Sequence, residues 1–231
     1  MVVESADTPM IAQYWAELLE CPILGSDGPG IAVQLDGDAR LMFVPSRAAK
    51  AGKNSLHLDL GSSSAAHQAA VAERACRLGG SRIDIGQGPV PWVVLADPEG
   101  NEFCVLEPRD EYRHAGPIAA VVIDAVNPVD LCQFWSKALE LPIVRTHPQY
   151  ASLRRPSEFW LEFVHNTELK LDRNRMHLRL ARDDEVPDER LDQPSDREAV
   201  TRAPHHTCTA HDSAVIGLLD LERNEFCLSP S

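Results

Sequence analysis

Five short strings hold the side chains best suited to chemistry: LHLDL (Leu56 to Leu60), EFCVL (Glu102 to Leu106), FWLEFV (Phe159 to Val164), MHLRL (Met176 to Leu180) and a second Glu-Phe-Cys ending at Cys227. Each alternates as a strand does, so successive side chains point to opposite faces and the apolar set marks the buried one. Leu56, Leu58 and Leu60 form a core face, which turns His57 and Asp59 the other way. Met176, Leu178 and Leu180 do the same for His177 and Arg179, and Phe103 and Val105 for Cys104; Cys227 follows that pattern beside Phe226. Leu161 and Phe163 share a face, so Glu162 and Trp160 share the opposite one, and the counterpart of Glu162 in the first half of the chain is Met42. Taken half by half, one group is His57 with Cys104, and the other is Glu162, His177 and Cys227.

Such groups allow several kinds of work. Imidazole, thiolate and carboxylate together can ligate a soft divalent metal. A carboxylate or imidazole in a cleft can remove a proton next to a carbonyl, and His57 can act as base to a Cys104 nucleophile if a third group orients it. The remaining reading is that the cysteines pack as small apolar side chains and the histidines are hydrogen-bonded pocket residues. The candidate catalytic residues are Glu162 and His177; the candidate ligand-binding residues are His57, Asp59, Cys104, Trp160, Arg179 and Cys227. The HHTCTAH string has ligand-like spacing, but as a strand it turns His205 and His211 away from Cys208, so it makes no chelate.

The elements that must position these residues come in duplicate. Met10 to Ile23 aligns with Asp130 to Ile143 at an offset of 120, matching Gln13, Trp15, Leu19, Glu20, Pro22 and Ile23, and the same offset superposes KNSLHLDL on RNRMHLRL. LADPEGNEFC (Leu95 to Cys104) meets LLDLERNEFC (Leu218 to Cys227) at an offset of 123. Ile11, Tyr14, Trp15, Leu18 and Leu19 follow the stripe of an amphipathic helix behind the start signal Asp7-Thr8-Pro9, and Leu131, Phe134, Trp135, Ala138 and Leu139 repeat it. That stripe places Trp15 and Trp135 in the core rather than in a pocket. The first copy itself reads strand, helix, strand, strand twice over, with IAVQL and RLMFV joined through Asp36-Gly37, then LHLDL, a helix over Ala65 to Leu78, and the strands RIDI, PWVVL and EFCVL. The second copy lacks that second helix: 183–198 contains eight acidic and two basic residues with only Val186 and Leu191 as large apolar side chains, which predicts an acidic loop. Residues 1–108 and 118–231 are the two expected domains and 109–117 the linker.

Composition narrows the partners. With 44% hydrophobic and 25% charged residues the chain can build a core, and it has no apolar run of the ~20 residues that span a bilayer. A formal charge of −13 repels nucleic acid and anionic lipid, so neither nucleic acid nor membrane is an expected partner. MVVESADTPM has no basic and apolar leader, and the six cysteines form no CxxC pair, which predicts a cytoplasmic chain of free thiols. The expected assembly is a monomer whose domains pair as a pseudo-dimer, or a weak homodimer.

The paired strand-helix-strand-strand modules, the Trp-bearing helix, the (L/M)HL(D/R)L strand and WVVLADPEGNEFC resemble the glyoxalase-like domains of the vicinal oxygen chelate superfamily, which includes the bleomycin-resistance proteins. The resemblance implies an α+β fold in which tandem domains, each of two modules, curl mixed sheets into a U around a cleft. Many such proteins hold a divalent metal in the cleft. The resemblance places ligands on the first strand and the last strand of one module, the first strand of the other, and a closing-strand Glu. His57 and His177 match the third position and Glu162 the second; no His lies in 1–5 or 117–124, and Cys104 and Cys227 stand where the closing Glu would be. The expectation is therefore no family-type metal and no other cofactor. The leading reading is a cleft that binds a small, partly apolar molecule; the alternatives are a glyoxalase-type lyase or isomerase and a non-catalytic interaction module.

Overall fold

The computed structural model describes residues 1–25, 30–48, 50–154, 159–167, 173–182, 201–202 and 215–230. The predicted acidic loop at 183–198 and the His205 to His211 string lie outside the described residues.

The helices form where the stripes place them. Helix α1 (Thr8–Leu19) starts where the Asp7 carboxylate accepts the Met10 N–H at 3.1 Å, with Pro9 in its first turn, where a missing N–H costs nothing. It stops at Glu20 in the left-handed conformation and buries Ile11, Tyr14, Trp15, Leu18 and Leu19. Helix α3 (Pro128–Leu139) repeats the first-turn proline and the left-handed stop, at Glu140, but its N-cap Asn127 makes no side-chain cap bond, and α2 (Ala65–Arg77) is capped by Ser64. Of the RIDI string only Arg82 joins a strand, because the Asp84 carboxylate accepts the Gly86 N–H and turns the chain.

Among the described residues the strands form two eight-stranded mixed sheets. In the first, β1 (Val2–Ser5), β2 (Ile23–Leu24), β3 (Ile31–Gln34) and β4 (Arg40–Pro45) join β13 (Met176–Arg182), β14 (Thr201–Arg202), β15 (Ile216–Leu219) and β16 (Glu225–Pro230). The second joins β5 (Leu56–Leu60), β6 (Ser81–Arg82), β7 (Val93–Ala96) and β8 (Glu102–Val105) to β9 (Ile118–Ala125), β10 (Ile143–His147), β11 (Tyr150–Leu153) and β12 (Trp160–His165). The seams are antiparallel pairings between copies: Val2 opposite His177 in the first sheet, and Leu56, His57, Leu58 and Asp59 opposite Ile123, Val122, Val121 and Ala120 in the second. Each sheet thus takes one module from each sequence copy.

What ties a copy together is its core. One hydrophobic cluster contains residues of both sheets and of helices α1, α2 and α3, including Trp15, Phe103, Leu58, Val121, Trp135 and Phe226. The Trp15 ring lies edge-on to Phe103 at 5.1 Å, and Trp135 to Phe226 at 4.9 Å. Each indole N–H is buried and donates to a buried carboxylate, Trp15 to Asp97 (3.2 Å) and Trp135 to Asp220 (3.1 Å). Asp97 and Asp220 also accept from Asn101 and Asn224, and Glu99 and Glu222 accept the N–H groups ahead of α1 and α3. The DPEGNE and DLERNE turns are therefore fasteners that anchor a helix from the neighbouring module of the same copy. Both fasteners keep their polar contacts although the second has lost the proline and glycine.

Candidate functional site

Register determines which side chains share the cleft face of the second sheet, the face turned away from the main core. Trp160 pairs with Ala120, Ala120 with Asp59, Asp59 with Cys104 and Cys104 with Val94, giving one row across five strands. The neighbouring row runs Arg145, Ser152, Glu162, Val122, His57. These cross-strand neighbours face the same way. Cys104, Leu106, Ala120, Val122 and Trp160 form a small apolar cluster of their own, with Trp92 and Val94 against it. Two residues of the predicted linker complete it: Tyr112, in a 3-10 turn (Asp110–Tyr112), and Ala115 are both buried there. The linker thus covers part of the cleft floor.

Burial disfavours the charged form of the polar groups on this floor. Burial raises Asp59 to about 7, with the Glu162 charge adding to it and the Cys104 thiol and Arg109 opposing. Burial also raises Cys104, reinforced by Asp59, whose carboxylate accepts the thiol proton, so the thiol stays protonated. His57 is lowered to about 4, chiefly by burial, and stays a neutral imidazole. Its Nε2 lies 3.5 Å from Asp59 Oδ1 without the alignment of a hydrogen bond, and that oxygen has no partner. Glu162 is raised by burial even though the Tyr112 hydroxyl donates to it at 2.9 Å and Arg145 and Arg109 lie near. Asp59, half-ionised near neutral pH in a low-dielectric cleft, can take or give a proton at ordinary pH, and Glu162 is displaced in the same direction.

His57, Asp59 and Cys104 place three ligand-capable atoms within 4.8 Å of one another. Imidazole, carboxylate and thiol suit a soft divalent ion. The family-type set is incomplete: β9 turns Ala120, Val122 and Asp124 toward this face, with the Asp124 carboxylate engaged by Lys53 and Asn166, Cys104 stands at the closing-strand position, and Glu162 is turned to Tyr112.

The structure does not assemble Glu162 with His177 and Cys227. Glu162 lies on β12 in the second sheet, His177 and Cys227 in the first, because the seams join strands of different copies. Four of the candidate ligand-binding residues, His57, Asp59, Cys104 and Trp160, share the floor with Glu162. His177, Arg179 and Cys227 share the other, where Val2, Val44, Val215 and Cys227 cluster with Met42 against them. His177 is buried there, and Arg179 reaches the Met42 sulfur at 3.8 Å.

The sequence reading missed Tyr112, Arg109, Arg145 and Arg154. Arg109 lies over the rings of Trp92 and Tyr112, and Arg145 and Arg154 over Trp160 at 4.8 and 5.0 Å. The available signal was Tyr112 itself, a large aromatic in an otherwise charged linker that had no reason to be there unless it packed.

Comparison with known proteins agrees with this architecture. Residues 1–106 and 120–229 both match the model of the glyoxalase-like domain. No curated protein sequence matches the chain. Among solved structures, glyoxalase I from Zea mays has a TM-score of 0.64 at 15% identity, covering 98% of this chain and 89% of that one. A putative dioxygenase from Bacillus subtilis subsp. subtilis str. 168 has a TM-score of 0.59 at 12% identity, covering 100% and 83%. At those identities the likeness is one of fold.

Proposed function

Because this chain belongs to the glyoxalase-like domain family, we propose that the cleft face of its second sheet binds a small, partly apolar molecule without the family-type metal. The observation behind this is the combination of an apolar and aromatic wall with buried polar atoms that have no hydrogen-bond partner among the described residues, Asp59 Oδ1 and Trp160 Nε1. A buried polar atom left unpaired costs about 1–3 kcal/mol, and such atoms in a cleft are met by a ligand or water. The buried floor favours a ligand of mixed character.

Bound there, a molecule with an acidic C–H would find Glu162 and Asp59 from two strands of one floor, Asp59 poised for proton transfer near neutral pH and Glu162 able to accept a proton as a carboxylate, with His57 neutral beside them. That is the chemistry of a lyase or isomerase, with Asp59 in the place the sequence reading gave to His177. The three-atom grouping of His57, Asp59 and Cys104 favours one further reading, a rewired metal site. A divalent ion held there would supply Lewis acidity toward a ligand carbonyl, and Glu162 would remain the group that moves the proton.

Two measurements separate these readings. An NMR screen of small aromatic and aliphatic acids, ketones and amides is expected to perturb Trp160, Tyr112 and Val122; binders confined to Met42, His177 and Cys227 would contradict the proposal. Metal content of the purified protein is expected to fall well below stoichiometric. One equivalent of zinc that is lost in both Cys104→Ser and Asp59→Asn would replace the metal-free reading with the rewired site.

A further inference from the structure

We propose that the molecule bound by the second sheet carries a carboxylate, received by Arg154, Arg145 and the Trp160 indole N–H at the β10–β11–β12 end of the cleft floor; the inference rests on the cleft reading above. Trp160 is only 5% exposed, yet its Nε1–H has no acceptor. Beside it, Arg154 donates through Nη1 to the Glu111 carbonyl at 3.2 Å, while its Nε is buried and also without a partner. Arg145 meets the Glu111 carboxylate at 3.2 Å. Both guanidinium groups lie over the Trp160 ring.

Among the described residues, the site therefore gathers two guanidinium groups whose one ion-pair partner is Glu111, and two buried donors that face no acceptor. The other nearby carboxyls do not fill the gap. Glu162 is engaged by Tyr112, and Asp59 stands at the far side of Ala120 in the Trp160 row. Every unsatisfied atom at this end is a donor, so the missing group is an acceptor. A guanidinium presents its Nε edge as a two-toothed fork that matches a carboxylate, and an indole N–H adds a third donor. In a chain of net charge −13 such a locally cationic pocket also draws an anion that the rest of the surface repels. The apolar wall of Ala120, Val122 and Cys104 would receive the ligand's body, so the class is a small organic carboxylate with an apolar portion reaching toward Asp59.

The probes are phenylacetate and hexanoate against their neutral amides, titrated at millimolar concentration into isotope-labelled protein, with the Trp160 indole N–H resonance assigned by Trp160→Phe. Both carboxylates are expected to bind about tenfold or more tightly than the amides and to move that resonance. Arg154→Gln, with unchanged thermal melting as its folding control, is expected to erase the preference. Glu111→Gln, which removes the competing carboxylate, is expected to strengthen carboxylate binding. Equal affinity for acid and amide, or a preference that survives Arg154→Gln, would overturn the carboxylate assignment while leaving the cleft reading in place. Silence of the whole floor toward all four probes would remove both.

Discussion

The two cleft floors occupy equivalent positions and hold different chemistry. Val2 lies between Met42 and His177 in the first sheet as Val122 lies between Glu162 and His57 in the second, and Arg179 pairs with Cys227 as Asp59 pairs with Cys104. Between the floors His, Cys and Val are constant. Glu162 becomes Met42 and Asp59 becomes Arg179, so one floor keeps two carboxyls and the other keeps none at those positions. The fasteners outside the clefts did not diverge this way, since the Trp15–Asp97 and Trp135–Asp220 bonds differ by only 0.1 Å. Duplication here preserved what builds a module and changed what faces the cleft.

The sharpest way to test that contrast is to remove Asp59, the carboxyl that Arg179 replaces on the other floor. Asp59 carries a raised value of about 7 in place of 3.8, so the folded protein holds a proton that the unfolded chain gives up, and stability falls as pH rises from about 4 to about 7. Asp59→Asn cannot ionise. It is expected to gain up to about 4 kcal/mol over the parent by denaturant unfolding at about pH 8, with no gain near pH 4. His57 opposes Asp59: lowered to about 4 from 6.5, it adds stability as pH rises through that window. The parent is therefore nearly flat there, and His57→Asn should expose the fall that Asp59 causes.

The claim that the fasteners are equal predicts matching losses. Trp15→Phe and Trp135→Phe each leave a buried carboxylate short of one donor and should each cost about 1–3 kcal/mol by thermal or chemical unfolding. A tenfold disparity between their unfolding equilibria would show that the copies have diverged in scaffold as well as in floor. A smaller effect is expected at the linker. Tyr112→Phe removes one hydrogen bond to Glu162 at a cost of about 1 kcal/mol, and the titration of Glu162 should move further up because that bond favours the ionised form.

Much of this was legible in the sequence. The α1 and α3 stripes, the duplicated blocks, the tandem α+β modules and the face on which His57, Asp59, Cys104 and Glu162 lie all follow from local periodicity, which the chain reports directly. The grouping of those residues does not. Whether β9 pairs with β5 or with β13 depends on a choice between two chemically similar strands, LHLDL and MHLRL, and nothing local distinguishes them. Reading each copy as self-contained placed Glu162 with His177. The cross-copy seam puts it with His57 instead and moves the richer set of cleft side chains from one copy to a floor that both build. Arg145 and Arg154 escaped notice for the same reason, since their importance comes from stacking on Trp160 and not from any motif.

The direct test of that grouping is the titration of the Asp59 carboxyl carbon by NMR in the parent and in Glu162→Gln. With both groups on one floor, Asp59 should titrate near 7 in the parent and lower once the Glu162 charge is removed. An Asp59 that titrates near its ordinary value, or is indifferent to Glu162→Gln, would contradict the shared floor and return Glu162 to a separate cleft.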